Sequence, residues 1–270
     1  MNTNLIKLVA IPMVNLKKYN LILRYFVLIL TFFLLFSCGE QKYYVTKIEA
    51  KDFGITNKNN SNVAIDSFIK PYRERIDTDL NTPISYAPET LDKSGKYQTT
   101  IGNLLADITL QRGNAIFSAR ENKQLDICLL NNGGIRSIIS KGNVTLKTAF
   151  EIMPFENTSI VIALKGEQIL EMLNYFVAEN KPHPLSGIQF TISKTNQPIN
   201  ITLKGKPLDS NRIYYVITSD YLSNGGDKMD FFKKGIEKYD INYKLRNILM
   251  DYFKETKTIT SSIDQRIILE

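Results

Sequence analysis

Histidine, cysteine and tryptophan are scarce in this sequence of 270 residues, which contains one histidine, two cysteines and no tryptophan. Two cysteines exclude the network of several disulfides that stabilises many small secreted domains. One histidine, His183, excludes a two-metal hydrolase centre built from this sequence alone, because such a centre needs several His, Asp and Asn ligands. Cys128 lies in the apolar run 127–130 and is predicted to be a small buried side chain, not a nucleophile.

A strong excess of one charge is also missing from most of the sequence. The formal net charge is +7, but residues 1–37 contain Lys7, Lys17, Lys18 and Arg24 and no acidic residue. Subtracting these four from the 34 basic residues leaves 30 against 27 acidic ones. No basic stripe remains, so nucleic acid is not an expected partner.

The N-terminal segment has the order of an export signal. A basic stretch ends at Arg24, the apolar run 25–36 follows, and Ser37 precedes Cys38. That run is about a dozen residues long, and about 20 are needed to span a bilayer. Residues 35–38 resemble a bacterial lipobox, which predicts a lipoprotein signal peptide over residues 1–37 and lipidation of Cys38. An uncleaved anchor helix and a start at Met13 remain alternatives; either way the protein is expected to be exported and membrane-held, periplasmic or at the cell surface.

The remaining residues are predicted to form a linker with a first strand at 44–50 (residues 38–60) and one domain (residues 61–270). Spacings of three and four between apolar residues predict a helix from Ile65 to Leu80 and another beginning near Ile101. Runs of strands with irregularly placed helices predict an α+β domain, a mixed β-sheet with flanking helices. Further strands are predicted at 125–130, 158–164, 187–193, 198–204 and 212–218, further helices at 145–152, 166–178 and 242–255, and a hairpin turn at Gly205–Lys206.

The segment 131–136, the Asn131 loop, follows the predicted strand at 125–130. Gly133 and Gly134 allow backbone N–H groups to approach a ligand closely, and Arg136 offers a planar charged fork to phosphate or carboxylate. Asn131 opens the loop. A plain turn with a surface arginine explains the same residues equally well.

The segment 153–157, the Phe155 loop, joins a predicted helix to a predicted strand. Phe155 follows Pro154, and an aromatic ring at such a position either plugs the core or forms an exposed platform. The residues alone favour the plug.

The segment 219–227, the Tyr221 loop, follows the predicted strand at 212–218. Tyr221, the pair Gly225–Gly226 and Asp227 fall within seven residues. Asp227 can accept hydrogen bonds from two neighbouring hydroxyls, as on a ribose, while Tyr221 stacks on a ring. An Asx-type turn is the alternative explanation.

The three loops and the segment 101–107, in this order, resemble the C-terminal domain of 5'-nucleotidases, which include UDP-sugar hydrolases and ecto-5'-nucleotidases. The resemblance covers about residues 43–270. It implies the fold of that domain and a nucleotide or nucleoside ligand. It also implies a role for individual residues: Arg136 contacts phosphate, Asn131 contacts the base, Phe155 and Tyr221 stack on its two faces, and Asp227 holds the ribose hydroxyls.

Two departures from this family qualify the resemblance. Two-domain members have an arginine ahead of the helix that begins near Ile101, whereas this sequence has Lys93 and Lys96 there. The family's metallophosphatase domain supplies the two-metal site and the catalytic histidines, and residues 1–60 contain no Asp-x-His, Gly-Asp or Gly-Asn-His-Glu pattern. The expectation is a stand-alone domain without catalytic residues or a cofactor, with divalent metals bound by a partner chain.

Three functions fit these observations. The first is the nucleotide-recognising domain of a split 5'-nucleotidase, which hydrolyses phosphate esters in nucleotide catabolism with a separate metallophosphatase chain. The second is a non-catalytic surface lipoprotein that binds nucleosides or nucleotides. The third is a vestigial domain whose loops persist as fold elements.

Overall fold

The computed structural model describes residues 16–35, 43–52, 54 and 62–270. Contacts divide the chain into two units, Met1–Ser61 and Asn62–Glu270. In the first unit the structure describes helix α1 (Leu16–Leu35) and an irregular segment over 43–52. No helix in the described ranges is both long and apolar enough to cross a membrane. Cys38, the predicted lipidation site, lies outside the described residues.

The strand predicted over 44–50 is wrong. This segment joins none of the described sheets, and the side chains of Tyr44, Val45 and Ile48 are exposed. Alternating apolar residues form a stable strand only when a neighbouring strand and a core cover them.

The second unit contains the remaining helices and all the described strands. The helices are α2 (Val63–Asn81), α3 (Thr100–Glu121), α4 (Leu146–Ile152), α5 (Gly166–Glu179), α6 (Asp220–Ser223) and α7 (Leu245–Glu255). The strands are β1 (Pro83–Ala87), β2 (Ile127–Leu129), β3 (Gly142–Thr145), β4 (Thr158–Lys165), β5 (Leu185–Ser186), β6 (Gln189–Ile192), β7 (Pro198–Leu203), β8 (Lys206–Pro207), β9 (Ile213–Ser219), β10 (Glu237–Lys244) and β11 (Ile267–Leu269).

The first two helices of the domain begin at polar caps. The Asn62 side chain accepts hydrogen bonds from the N–H groups of Ala64 and Ile65, and the Thr99 side chain accepts one from Gly102. Such caps satisfy N–H groups that have no partner inside the helix. The two predicted helix starts are therefore confirmed. None of the α2 residues is buried, whereas α3 buries ten.

The five-stranded sheet is the centre of the domain, with strand order β10-β4-β9-β2-β5. β2 and β9 are parallel, and the other neighbours are antiparallel. Alternate residues of β2 and β9 enter two separate core clusters, one with α3 and α7 and the other with α5. The sheet therefore lies between helices, and the predicted α+β fold with a mixed sheet is confirmed.

A four-stranded sheet (β11-β6-β7-β8) and the pair β1-β3 complete the domain. The sequence prediction missed β1, β3, β5, β8, β10 and β11. The helix predicted from residue 242 begins at Leu245, because the residues before it pair with β4 as strand β10. The predicted hairpin turn falls at Lys204–Gly205, one residue early, and both residues have left-handed backbones.

Candidate functional site

The topology brings the three loops to one edge of the central sheet. The Asn131 loop follows the C-terminal end of β2, and the Tyr221 loop follows the C-terminal end of the parallel strand β9. The Phe155 loop precedes β4, which runs antiparallel to β9. Segments nearly one hundred residues apart in sequence therefore meet at this edge.

A cavity of about 390 Å³ lies between these loops. We call it the aromatic cavity. This volume is within the range of about 300–1,000 Å³ typical of small-molecule sites. Seven of the nine predicted site residues line it, and Asn157 lines it as well: Asn131, Gly133, Gly134, Arg136, Phe155, Asn157, Tyr221 and Asp227.

Two aromatic rings form walls of this cavity. The Phe155 side chain is 46% exposed and the Tyr221 side chain 47% exposed. Neither ring is buried in the core, so the plug that the residues alone favoured for Phe155 is excluded. Large half-exposed aromatic rings around a cavity offer planar apolar surfaces to a flat ligand.

Asp227 connects two of the loops. Its carboxylate accepts hydrogen bonds from Asn131 Nδ2 at 2.6 Å and from the Tyr221 hydroxyl at 2.9 Å. Its carbonyl oxygen accepts one from the Tyr175 hydroxyl at 2.7 Å, and burial, together with nearby Glu179 and Asp227, raises the pKa of Tyr175 to about 12. A carboxylate has about four acceptor positions, so Asp227 keeps capacity for ligand hydroxyls.

Gly225 and Gly226 shape the Tyr221 loop and do not line the cavity. Gly225 has a left-handed backbone with φ +87°. A Cβ atom at Gly226 would lie 2.5 Å from Cε1 of the Tyr221 ring. The absence of a side chain at Gly226 therefore lets Tyr221 pack directly on the backbone.

Arg136 and Lys93 place positive charge near one side of the Asn131 loop. The Arg136 side chain is exposed, and Lys93 Nζ donates to the carbonyl oxygens of Ile135 at 2.8 Å and Asn132 at 3.4 Å. Partial burial, followed by the charge of Arg136, lowers the pKa of Lys93. Lys93 is thus engaged in holding the loop, while Arg136 is available to an anion.

His183 supports the Asn131 loop from inside the protein. It is 4% exposed, and its Nδ1 accepts the backbone N–H of Asn132 at 3.2 Å. Burial lowers the pKa of His183 to about 4, so the ring is neutral near pH 7. In the sequence His183 lies between Pro182 and Pro184, a context that gives no sign of its burial.

Arg246 on α7 supports the Phe155 loop. Its guanidinium donates to the carbonyl oxygens of Pro154 at 3.2 Å and Met153 at 3.5 Å, and pairs with the Glu156 carboxylate. Hydrogen bonds from Lys244 and then Arg246 lower the pKa of Glu156 to about 2. No sequence signal connects Arg246 to a loop 90 residues earlier.

The donor set of this domain does not fit a two-metal centre. No group of three or more His, Cys, Asp or Glu side chains that could hold a metal occurs within the described part of the chain. The one imidazole is buried with Nδ1 already bonded to Asn132. Two-metal hydrolysis needs several such ligands around open coordination positions, so no catalytic step is assigned to these residues.

These features define an α+β domain with a cavity of aromatic and polar side chains at one edge of its central sheet. The family model described as "5'-nucleotidase, C-terminal domain" matches residues 79–234, more than half of the chain. The chain belongs to the 5'-nucleotidase C-terminal domain family.

Individual relatives agree with this assignment. The trifunctional nucleotide phosphoesterase protein YfkN of Bacillus subtilis is 26% identical over 215 residues, covering 73% of this chain and 14% of that protein. The 5'-nucleotidase of Vibrio vulnificus is 27% identical over 183 residues, covering 64% of this chain and 31% of that protein. The 5'-nucleotidase precursor structure from Thermus thermophilus superposes with a TM-score of 0.63 at 25% identity, over 76% of this chain and 42% of that one. The chain therefore spans less than half the length of each of these relatives.

Proposed function

We propose that this chain is the nucleotide-recognising part of a 5'-nucleotidase and that a separate metallophosphatase chain supplies the metals and hydrolyses the phosphate ester. The observation that carries this proposal is the aromatic cavity, in which Phe155 and Tyr221 flank a space also lined by Asn131, Arg136 and Asp227.

The chemistry of the cavity matches the parts of a nucleotide. A base between Phe155 and Tyr221 would gain about 1–3 kcal/mol from stacking on each ring. The ribose hydroxyls would donate to the Asp227 carboxylate, and the exposed Arg136 fork would bind phosphate oxygens. Asn131 Nδ2 already donates to Asp227, so its Oδ1 is the atom directed to a donor on the base.

In this proposal the present chain binds the nucleotide and the partner chain carries out the hydrolysis. The cavity residues bind and orient, but none of them is arranged to activate water for attack on phosphorus. Divalent cations held by the partner would activate that water and neutralise the phosphoryl oxygens. The match covers only 31% and 42% of longer relatives named 5'-nucleotidase, which supports this division.

Calorimetric titration of AMP into the purified full-length chain, in mild detergent, tests recognition. Phe155→Ala and Tyr221→Ala are each expected to weaken AMP binding about tenfold or more, because each removes one stacking surface. Tyr72→Ala is the matched control, since this exposed ring lies on α2, outside the cavity. Equal affinities for all three variants and the unchanged chain would contradict the proposal.

Hydrolysis is tested by adding a metallophosphatase chain and a divalent cation. AMP hydrolysis is expected when both chains are present and is expected to fall to the level of the metallophosphatase alone with Tyr221→Ala. If this chain leaves the rate of the metallophosphatase unchanged, the split-enzyme part of the proposal fails.

A non-catalytic nucleoside-binding lipoprotein is the second candidate. The engagement of Lys93 with loop carbonyls favours it, because Lys93 is then less free to bind phosphate. This candidate predicts equal affinity for adenosine and AMP. A split enzyme predicts tighter binding of AMP through Arg136.

Export and lipid anchoring through Cys38 belong to the same proposal. They are supported by the order of basic residues, apolar run and small residue before Cys38. Growth with labelled palmitate should label the unchanged chain but not Cys38→Ser. Equal labelling of both chains would exclude Cys38 as the lipidated residue.

A further inference from the structure

The segment 101–107 is part of the family resemblance, but none of these described residues lines the aromatic cavity. It forms the first turns of α3, and two of its polar side chains contact residues 256–266. We call this irregular segment, which joins α7 to β11, the α7–β11 segment. Asn103 is 2% exposed, and its Nδ2 donates to the carbonyl oxygen of Ser262 at 2.9 Å. A motif without a ligand contact thus binds a segment 159 residues later in the sequence.

Arg266, the last residue of the α7–β11 segment, links this motif to strand β5. Its side chain is 12% exposed. Its guanidinium donates to the Asp107 carboxylate through Nη1 and Nη2, both at 2.9 Å, and to the Asp264 carboxylate through Nε at 2.8 Å and Nη2 at 2.7 Å. Nη1 also donates to the Leu185 carbonyl oxygen at 2.8 Å, and the Ser186 hydroxyl donates to Asp107 at 2.6 Å. These contacts use all five N–H donors of the guanidinium, so Arg266 fixes β5 against α3.

Strand β5 connects this contact to the Asn131 loop. It pairs antiparallel with β2, and the pairing continues beyond both strands. The N–H of Leu130 donates to the Pro184 carbonyl oxygen at 2.9 Å. The N–H of Asn132 donates to His183 Nδ1 at 3.2 Å. Residues 183–186 therefore determine where the Asn131 loop begins.

We propose that Arg266 is a positioning residue of the nucleotide site, which acts through residues 183–186 on the Asn131 loop. That loop carries Asn131 and Arg136, the groups assigned to the base and to phosphate. A loop that is already held in place loses less conformational entropy when a ligand binds. Arg266 is absent from the described residues that line the aromatic cavity, so its effect on a ligand is indirect. This inference rests on the proposed function, because it takes Asn131 and Arg136 as nucleotide contacts.

Arg266→Gln tests this role by calorimetry of AMP and adenosine on the full-length chain in mild detergent. Glutamine cannot bond to both carboxylates and the Leu185 carbonyl oxygen at once, so residues 183–186 lose part of their support. AMP affinity is expected to fall about tenfold and adenosine affinity about threefold, because AMP also loses its contact with Arg136. The preference for AMP over adenosine should therefore fall. A loss of stability alone does not change this preference in a chain that remains folded.

Arg112→Gln is the matched control. Arg112 lies on the same helix as Asp107 and pairs with Glu255 of α7 at 2.8 Å. The variant removes an arginine–carboxylate pair from α3 without affecting the contacts of β5. It should keep the affinities for both ligands.

Ser186→Ala is a milder variant, for the case that Arg266→Gln does not fold. It removes only the hydrogen bond from the Ser186 hydroxyl to Asp107 and leaves the ion pairs of Arg266 in place. AMP affinity is expected to fall about threefold, and more than adenosine affinity.

The imidazole of His183 gives a measurement that needs no ligand. His183 is the one histidine of the sequence, so a chain with labelled histidine and no histidine tag gives one set of imidazole signals. Because Nδ1 accepts the Asn132 N–H, the chemical shift of this nitrogen reports that hydrogen bond. Arg266→Gln and Ser186→Ala are expected to move the signal, whereas Arg112→Gln is not.

The outcomes separate this inference from the proposed function. If the unchanged chain binds AMP and the variants keep its affinities and its His183 signal, Arg266 is not a positioning residue and nucleotide recognition stands. A moved signal with an unchanged preference for AMP also overturns the inference, because the site then tolerates the change in the loop. If neither ligand binds but Arg266→Gln moves the His183 signal, Arg266 still positions the Asn131 loop and the proposed function fails.

Discussion

The two aromatic walls of the cavity are held in place in different ways. The Tyr221 ring is held mainly within its own loop, since its hydroxyl bonds Asp227 and the ring lies against Gly226. Tyr175 of α5 adds one hydrogen bond, to the Asp227 carbonyl oxygen. The Phe155 loop is held by Arg246, a buried arginine from another element. One wall is therefore specified locally, and the other depends on a contact across the fold.

Replacing Arg246 should have the largest effect on stability and on AMP binding, because it removes the tertiary contact that holds the Phe155 loop. Arg246→Met removes the donors to Met153 and Pro154 and the partner of Glu156, so we expect the free energy of unfolding to fall by about 3 kcal/mol. AMP binding should weaken more than tenfold, because Phe155 loses its support. Urea unfolding and calorimetry measure the two effects.

Arg246→Lys is the matched variant for this test. It keeps a positive charge near Glu156. It lacks the planar guanidinium group that also donates to the carbonyl oxygens of Met153 and Pro154. It should recover part of the stability and less of the AMP affinity. If Arg246→Met binds AMP as well as the unchanged chain, Arg246 does not position Phe155.

This difference also explains what the sequence could predict. The Tyr221 loop keeps ring, glycines and carboxylate within seven residues, and the Asn131 loop is equally short, so local pattern and family resemblance located both. The helix predicted from Ile65 was predictable for the same reason, because its apolar spacing and its cap both lie within a short segment. Arg246, Tyr175 and Lys93 act on loops distant in sequence, and only tertiary packing brings them there.

The missed and misplaced strands have a related cause. β10 reads Glu-Lys-Tyr-Asp-Ile-Asn-Tyr-Lys, and its polar residues are tolerated because it is an edge strand beside β4. The segment 44–50 alternates better but pairs with no strand in the part of the chain that the structure describes. In both cases the presence or absence of a neighbouring strand determined whether the segment formed a strand. The sequence of one segment does not show its neighbours.

His183 supports the Asn131 loop, and protonation of its ring should give the next largest effect on stability. Its pKa is about 4 in the folded protein because of burial, against an ordinary value of 6.5. Between these values the unfolded chain binds more protons, so stability is lost as pH falls. Lowering the pH from about 6.5 to 4.5 should cost about 2 kcal/mol of unfolding free energy.

His183→Gln is the control, since it retains an acceptor but does not titrate. Its unfolding free energy should change much less over the same pH interval, in which most carboxylates stay ionised. Urea unfolding at several pH values measures this. Parallel pH profiles for the two chains would show that His183 is not the responsible group.

Gly226→Ala tests the local packing that holds the Tyr221 ring. The added Cβ would meet the Tyr221 ring at 2.5–2.7 Å, so the ring has to move. We expect AMP affinity to fall about tenfold, or about 1.4 kcal/mol, with little change at the Phe155 wall.

Tyr221→Phe should give the smallest effect and separates the ring from its hydroxyl. The variant keeps the stacking surface but loses the hydrogen bonds to Asp227, at 2.9 Å to Oδ1 and 3.2 Å to the backbone N. A neutral hydrogen bond contributes about 0.5–1.5 kcal/mol, so AMP affinity should fall about three- to tenfold at most. A loss as large as that of Tyr221→Ala would mean that the orientation of Asp227, and not stacking, is the main contribution of this wall.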